Sequence, residues 1–117
     1  MHKLLSLLLL LILFLPALAQ DKPYQAGVDV TAPTLTSKVE PKYTQEATDA
    51  RIEGTVILSA VIGKEGVAEE IKVVKGLDPG LDKNAVEALQ QWKFEPGTKD
   101  GKPVRVIASV EINFRLH

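Results

Sequence analysis

The sequence predicts an α+β fold in which two helices pack on one face of a three-stranded antiparallel or mixed sheet. Three observations indicate this fold. Apolar residues recur at every second position of residues 104–116, the pattern of a long strand with one buried face. Residues 54–62 and 67–75 are two shorter β-type runs joined by a turn that contains glycines. Residues 44–50 and 81–92 have apolar side chains at helical spacing.

The first 19 residues have the three parts of a signal peptide. Lys3 gives a positive start, residues 4–15 are almost wholly apolar, and small residues follow at 17–19. As a helix, the apolar run is only about 18 Å long, well short of the ~30 Å hydrocarbon core of a bilayer. We therefore expect a cleaved signal and a periplasmic protein, with a retained inner-membrane anchor as the alternative. Residues 20–37 have no sustained period and are expected to be a flexible linker.

Charge and composition narrow the possible functions. The net charge is −1 and falls to −2 when the signal is removed, because Lys3 is the only charged residue lost. This balance predicts neither a nucleic-acid site nor a surface for anionic membranes. The chain has no cysteine, and its two histidines are at positions 2 and 117, so no His is placed to serve a Ser nucleophile or a metal cluster. We expect no enzyme, no cofactor and no bound metal.

The globular domain is expected to comprise residues 38–117 and to begin with a short helix. Thr44 is a suitable N-cap for the helix at 44–50. Residues 54–62 then form a strand with apolar side chains on both faces, which predicts a central position in the sheet. Residues 63–66 read as a hairpin turn, with glycines where a positive φ is needed.

The second half of the domain is predicted from the same periodicities. In the return strand at 67–75, Val67, Ile71 and Val73 are expected to point into the core. The second helix is expected to bury a stripe of apolar side chains at Leu81, Ala85, Ala88, Leu89 and Trp92. The element order is therefore α-β-β-α-β. With a right-handed crossover before the third strand, the sheet order is 2-1-3, and the third strand lies at an edge, paired on one side only.

Several short motifs occur in an order and spacing that resemble the TonB C-terminal domain. They are Pro-Lys-Tyr at 41–43, Ile-Glu-Gly-Thr-Val at 52–56, Gly-Leu-Asp at 80–82, Trp-Lys-Phe-Glu-Pro at 92–96 and Gly-Lys-Pro-Val at 101–104. Each motif alone is weak, but together they extend the resemblance over roughly residues 38–116, nearly the whole of the mature chain.

The resemblance implies a protein-binding function. Domains of this family bind an extended segment of an outer-membrane transport receptor by β-strand addition and transmit force from an inner-membrane motor. The resemblance places the binding edge on the last strand and a flanking contact just before the first helix. The candidate binding residues are Glu40, Pro41, Lys42, Tyr43, Arg105, Ile107, Ser109 and Glu111.

The segment before the domain is short for a force transducer. Residues 20–38 reach at most about 65 Å when fully extended, so we expect a stand-alone, exported TonB-like domain. The alternative is a structural or regulatory interaction domain of the envelope, possibly a homodimer, that is not coupled to energy transduction. Binding of receptor peptides distinguishes the two. A further open alternative is that residues 28–35 fold back and add a strand to the edge.

Overall fold

The structure, a computed structural model, describes residues 22–117; the predicted signal peptide at 1–19 lies outside them. The described elements are β1 (Tyr24–Gln25), β2 (Thr34–Ser37), α1 (Gln45–Asp49), β3 (Gly54–Ile62), β4 (Ala68–Lys75), α2 (Pro79–Leu89), β5 (Lys93–Glu95), β6 (Thr98–Lys99), β7 (Lys102–Pro103) and β8 (Val106–Phe114). Within residues 22–117, no helix has both the length and the apolar character needed to cross a membrane.

The main sheet has four strands in the order β1-β8-β3-β4. β3 is antiparallel to both β4 and β8, which confirms the predicted order of the three long strands and the central place of β3. β1 adds a fourth strand, parallel to β8 and only two residues long. Two small two-stranded sheets, β2–β5 and β6–β7, lie beside the main one.

Both helices begin at side-chain caps. The Thr44 hydroxyl accepts a hydrogen bond from Ala47 N at 3.0 Å, as predicted. In the same way, an oxygen of the Asp78 carboxylate accepts from Leu81 N at 3.0 Å. Helix α2 starts two residues earlier than the apolar periodicity indicates, because Pro79 fits the first helical turn, where no N–H is required.

The core lies between the helices and one face of the sheet. The predicted stripe of α2 is buried, and Trp92 follows it into the core. The residues of the core cluster are Ala47, Val56, Leu58, Ala60, Ile62, Ala68, Leu81, Ala85, Leu89, Trp92, Val110, Ile112 and Phe114. From Val106 to Phe114, the apolar side chains of β8 alternate with exposed ones, as the sequence predicts.

The prediction for the inner face of β4 is wrong at two of three positions. Ile71 packs on the core, but Val73 is exposed and Val67 is only half-buried, while Ala68 is buried instead. The register with β3 shifts at two places, and at the one between Ser59 and Val61 Glu70 adopts a φ of 49°, which accounts for the exchange of Val67 and Ala68. Val73 lies opposite the buried Leu58, so it keeps the predicted face but is exposed because β4 is an edge strand. An extra residue in one strand exchanges the two faces on either side of it, so simple alternation does not hold along β4.

Residues 22–42, which include most of the expected linker, run along the surface of the domain. β2 pairs with β5, and Val30 is 6% exposed and forms a bridge to Lys99. Further along, Trp92 Nε1 donates to Val39 O at 2.9 Å. The N-terminal segment does add a strand to the edge of β8, but at Tyr24–Gln25; the strand pairing of residues 34–37 is with β5 instead, so the alternative placed at 28–35 is wrong in its position.

Candidate functional site

The two edges of β8 are paired very differently. Its inner edge pairs with β3 at nine consecutive positions, from Val106 to Phe114. Its outer edge pairs with β1 at Val106 and Ile107 only. Among residues 22–117, no strand lies opposite the outer edge beyond Ile107. A stretch of about seven residues, or roughly 23 Å of strand, is therefore open.

The backbone geometry identifies which residues face this open side. Tyr24 N donates to Arg105 O at 2.8 Å, so Arg105 directs its backbone groups outward. Because these groups alternate in direction along a strand, Ser109, Glu111 and Asn113 also direct their N–H and C=O groups outward. No described strand lies opposite these three residues. Such an edge forms main-chain hydrogen bonds with an added extended chain.

The side chains of the same residues lie on the sheet face that the helices leave uncovered. Ser109, Glu111 and Asn113 are exposed, and Thr55 Oγ1 donates to Asn113 Oδ1 across the strands at 2.6 Å. Ile107 is 39% exposed and is the one apolar member of this outward series within β8. An added strand along the open edge therefore has contacts both with the β8 backbone and with these side chains.

The flanking segment before α1 meets the far end of β8. The Tyr43 hydroxyl donates to Ile52 O at 2.8 Å, and its ring contacts Phe114 edge-on, with ring centroids 5.5 Å apart. Desolvation of the phenol raises the pKa of Tyr43; Glu53 adds to the rise, while Arg115 opposes it. This contact joins the two parts of the predicted site.

An open groove of about 380 Å³ lies where these two parts meet. It is lined by Glu40, Pro41, Tyr43, Asn113, Phe114, Arg115 and His117. Three of the four predicted flanking residues therefore share one groove with the end of the open edge. We call this groove the tyrosine groove.

Two of the predicted site residues are placed differently. Lys42 lines a separate surface against α2, where its carbonyl accepts a hydrogen bond from Asn84 Nδ2 at 2.7 Å. Arg105 precedes β8, its side chain is 14% exposed, and it forms salt bridges with Glu69 and Glu70. Arg105 is thus held by its own domain beside the covered part of the edge.

The open edge and the tyrosine groove extend beyond the residues that the sequence analysis singled out. Asn113 has an outward backbone, and Arg115 and His117 line the tyrosine groove. Asn113 and Arg115 belong to the same alternating series as Arg105, Ile107, Ser109 and Glu111, so the period-2 pattern was sufficient to include them. The role of all these residues in binding stays a prediction.

The comparison with known proteins agrees with this architecture. The profile of the Gram-negative bacterial TonB protein C-terminal family matches residues 39–116. Protein TonB of Vibrio cholerae is 36% identical over 90 residues, which are 74% of this chain and 36% of that protein. Protein TonB of Xanthomonas campestris is 30% identical over 93 residues, which are 79% of this chain and 40% of that protein.

A solved structure also resembles this one. The solution NMR structure of the Pseudomonas aeruginosa TonB CTD superimposes with a TM-score of 0.60 at 25% identity, covering 78% of this chain and 90% of that chain. The family profile covers well over half of the present chain, from the segment before α1 to the end of β8. The chain therefore belongs to the TonB C-terminal domain family.

Proposed function

We propose that this protein is a periplasmic interaction module of TonB-dependent transport. It binds an extended segment of an outer-membrane receptor by β-strand addition to the outer edge of β8. The observation that carries the proposal is the set of outward backbone groups at Ser109, Glu111 and Asn113, opposite which no described strand lies. Backbone pairing supplies affinity without requiring a particular sequence, and the exposed side chains along the edge supply selectivity.

The tyrosine groove supports the same proposal. It lies at the end of the open edge, so a strand that follows the edge past Asn113 enters it. The Tyr43–Phe114 contact ties the groove wall to the core. Packing against the core holds this wall of the groove in place before a partner binds, which lowers the entropic cost of binding.

An NMR titration with backbone-modified peptides tests the proposal. Labelled residues 20–117 are titrated with a peptide from the N-terminal segment of an outer-membrane TonB-dependent receptor of the same genome. Two versions carry N-methyl groups at alternate residues, one at odd and one at even positions. A strand that adds to one edge uses only one of these sets of N–H groups, so one version should lose at least about tenfold in affinity and the other should bind nearly as well.

The positions of the shifted amides complete this test. Saturable shifts should concentrate on residues 109–113 and on residues 39–43. Equal binding by the two N-methylated peptides would exclude strand addition, because side-chain recognition alone does not distinguish odd from even backbone positions. Shifts confined to other surfaces would place the receptor site elsewhere.

The same open edge favours a second candidate function. Two copies of β8 can pair antiparallel through their open edges and form a homodimer in which the domain acts as a structural or regulatory envelope protein. Analytical ultracentrifugation distinguishes the two. A monomer that binds the peptide supports the receptor module, and a stable dimer with protected amides at Ser109 and Glu111 supports the alternative.

A further inference from the structure

The end of the sheet opposite the tyrosine groove carries a concentration of positive charge. An open pocket of about 480 Å³ there is lined by Lys22, Tyr24, Lys64, Lys99, Asp100, Lys102, Pro103, Val104 and Arg105. Five of these residues are basic and one is acidic. Glu69 and Glu70 pair with Arg105 at this end, so five basic residues meet three acidic ones and the excess positive charge rests on the lysines. The whole chain has a net charge of −1, so this excess is a local property of the pocket.

Strand register explains why residues from three stretches of the sequence, 22–24, 64 and 99–105, meet there. Ile62 is opposite both Val106 and Ala68, and Tyr24 is opposite Val106 on the other side. The turn after β3, the start of β8 and strand β1 therefore share one end of the sheet. Lys64 lies in that turn, Lys99 and Lys102 belong to the β6–β7 hairpin that precedes β8, and Lys22 precedes β1.

The four lysines are available for an external anion. None of them is in a salt bridge within the described part of the chain. Arg105, in contrast, is engaged by Glu69 and Glu70. Lys99 Nζ lies 5.4 Å from the centre of the Tyr24 ring. This contact leaves the N–H groups of the ammonium able to donate hydrogen bonds to an anion.

Exposed apolar side chains lie beside this charge. Tyr24 is 41% exposed, and Val28 is fully exposed. Val28 lies on the bend between β1 and Val30, the residue that bridges to Lys99, and that bend is closed by a hydrogen bond from Gly27 N to Val30 O. A group of lysines around an aromatic and an aliphatic side chain is typical of surfaces that bind the membrane interface.

We propose that this surface, which we call the lysine pole (Lys22, Lys64, Lys99 and Lys102 with Tyr24 and Val28), binds the surface of an anionic phospholipid bilayer. The lysines pair with headgroup phosphates, and Tyr24 and Val28 enter the interfacial region. Lysine suits this role because its ammonium group is a flexible point charge, whereas fixed bidentate recognition of a single ligand favours arginine. Each lysine near an anionic surface adds to the attraction, which decays within a Debye length.

The lysine pole and the tyrosine groove can be occupied together. β8 runs from one to the other, and its nine residues span about 30 Å. Binding to a bilayer through the pole therefore leaves residues 109–113 accessible to a receptor segment. The pole is independent of the proposed receptor site, so either can be present without the other.

Vesicle flotation with charge-matched variants tests the proposal. All buried side chains among the described residues lie between Val30 and Phe114, so residues 20–117 contain the whole described core and are used for the test. The pole variant combines Lys22→Gln, Lys64→Gln, Lys99→Gln and Lys102→Gln. The control variant makes the same charge change at exposed lysines elsewhere, with Lys72→Gln, Lys75→Gln, Lys83→Gln and Lys93→Gln.

The expected results differ by vesicle and by variant. The wild type should float with vesicles of phosphatidylglycerol and phosphatidylcholine in equal parts, and not with phosphatidylcholine alone. The pole variant should lose at least about a hundredfold in partition coefficient, while the control loses much less, because its lysines are spread over the molecule. Tyr24→Ser should lose severalfold while keeping the four charges.

Four outcomes would overturn the proposal. The first is no flotation of the wild type at low salt, and the second is equal loss in the pole and control variants. The third is full displacement by soluble glycerol phosphate, which would make the occupant a free phosphate rather than a membrane. The fourth is a pole variant that floats normally but no longer binds the receptor peptide, which would assign the lysines to an acidic polypeptide.

Discussion

The outer edge of β8 has two halves that differ in accessibility although they belong to one regular strand. Around Val106 and Ile107 the edge is covered by β1, whereas from Ser109 to Asn113 it faces no described strand. Both halves pair with β3 on the other side and both alternate between buried and exposed side chains. The difference comes from the path of the preceding chain, which leaves the edge after Gln25 and bends at Gly27 towards the β6–β7 hairpin.

The cover over the first half is a short and exposed part of the N-terminal segment. β1 pairs over two residues, and both of its side chains are exposed. Further on, Thr31 N donates to Thr98 O at 2.9 Å, and the buried Val30 packs nearby. Segments with few buried contacts open at low free-energy cost. The length of the open edge is thus set by a short strand that opens more easily than the rest of the sheet.

The largest expected effect comes from disrupting the core packing of the buried face of β8, which both halves of the strand share. Phe114 is 1% exposed, contacts Tyr43 and belongs to the core cluster. Phe114→Ala should lower the free energy of unfolding by about 3–5 kcal/mol. Urea denaturation followed by Trp92 fluorescence measures this.

The matched control for that change is on the other face of the same strand. Ile107→Ala removes a half-exposed side chain and should cost less than about 1 kcal/mol. Equal losses in the two variants would contradict the assignment of the inner and outer faces of β8.

A smaller effect should follow from removing the cover itself. Deletion of residues 20–26 removes β1 and should lower the free energy of unfolding by only about 1 kcal/mol, the net value of one or two hydrogen bonds. Amide exchange at Ile107 should become as fast as at Ser109, while the inward amides of Val110 and Ile112 stay protected. Exchange measured by NMR reports each of these amides separately.

The control for the deletion is Gln25→Ala, which keeps the backbone of β1. It should leave exchange at Ile107 unchanged, because main-chain groups make the pairing. If Ile107 stays protected after the deletion, β1 is not what covers this half of the edge.

The sequence predicts those features of the fold that depend on local periodicity. The alternation along β8, the stripe of α2 and the Thr44 cap are each encoded within a few residues, and the structure confirms them. The path of residues 22–37 has no such signature, since a two-residue parallel pairing depends on where distant segments meet. The bulge at Glu70 is hidden for a related reason, because the backbone can insert a residue without a change in residue type.

The lysine pole illustrates the same limit for function. Lys22, Lys64 and Lys99 are far apart in the sequence, where each is an isolated surface charge. The net charge of the chain, in turn, predicts no surface for anionic membranes. Only the shared end of β3 and β8 brings them together. A cluster assembled by sheet register is invisible to charge counting along the chain.

The smallest expected effect is confined to alkaline pH and to the open half. The pKa of Tyr43 is raised, chiefly by desolvation, and its neutral hydroxyl donates to Ile52 O. The contribution of Tyr43 to the free energy of unfolding is therefore fully present below the ordinary tyrosine pKa of about 10. It falls as the pH rises above that value, because Tyr43 loses its proton first in the unfolded state. Tyr43→Phe cannot ionise and lacks this loss.

The stability difference between wild type and Tyr43→Phe isolates this titration from that of the lysines. The urea midpoints of the two proteins should differ by a constant amount below about pH 10. Above it, the midpoint of the wild type should decrease relative to that of Tyr43→Phe. Amide shifts at Asn113 and Arg115 should move over the same pH range, while those at Ile107 stay fixed, since Tyr43 contacts only the end of β8 that carries Phe114. A difference in urea midpoint that stays constant at all pH values would mean that the Tyr43 phenol is as solvated as in the unfolded chain. The covered and open halves of the β8 edge would then respond to pH alike.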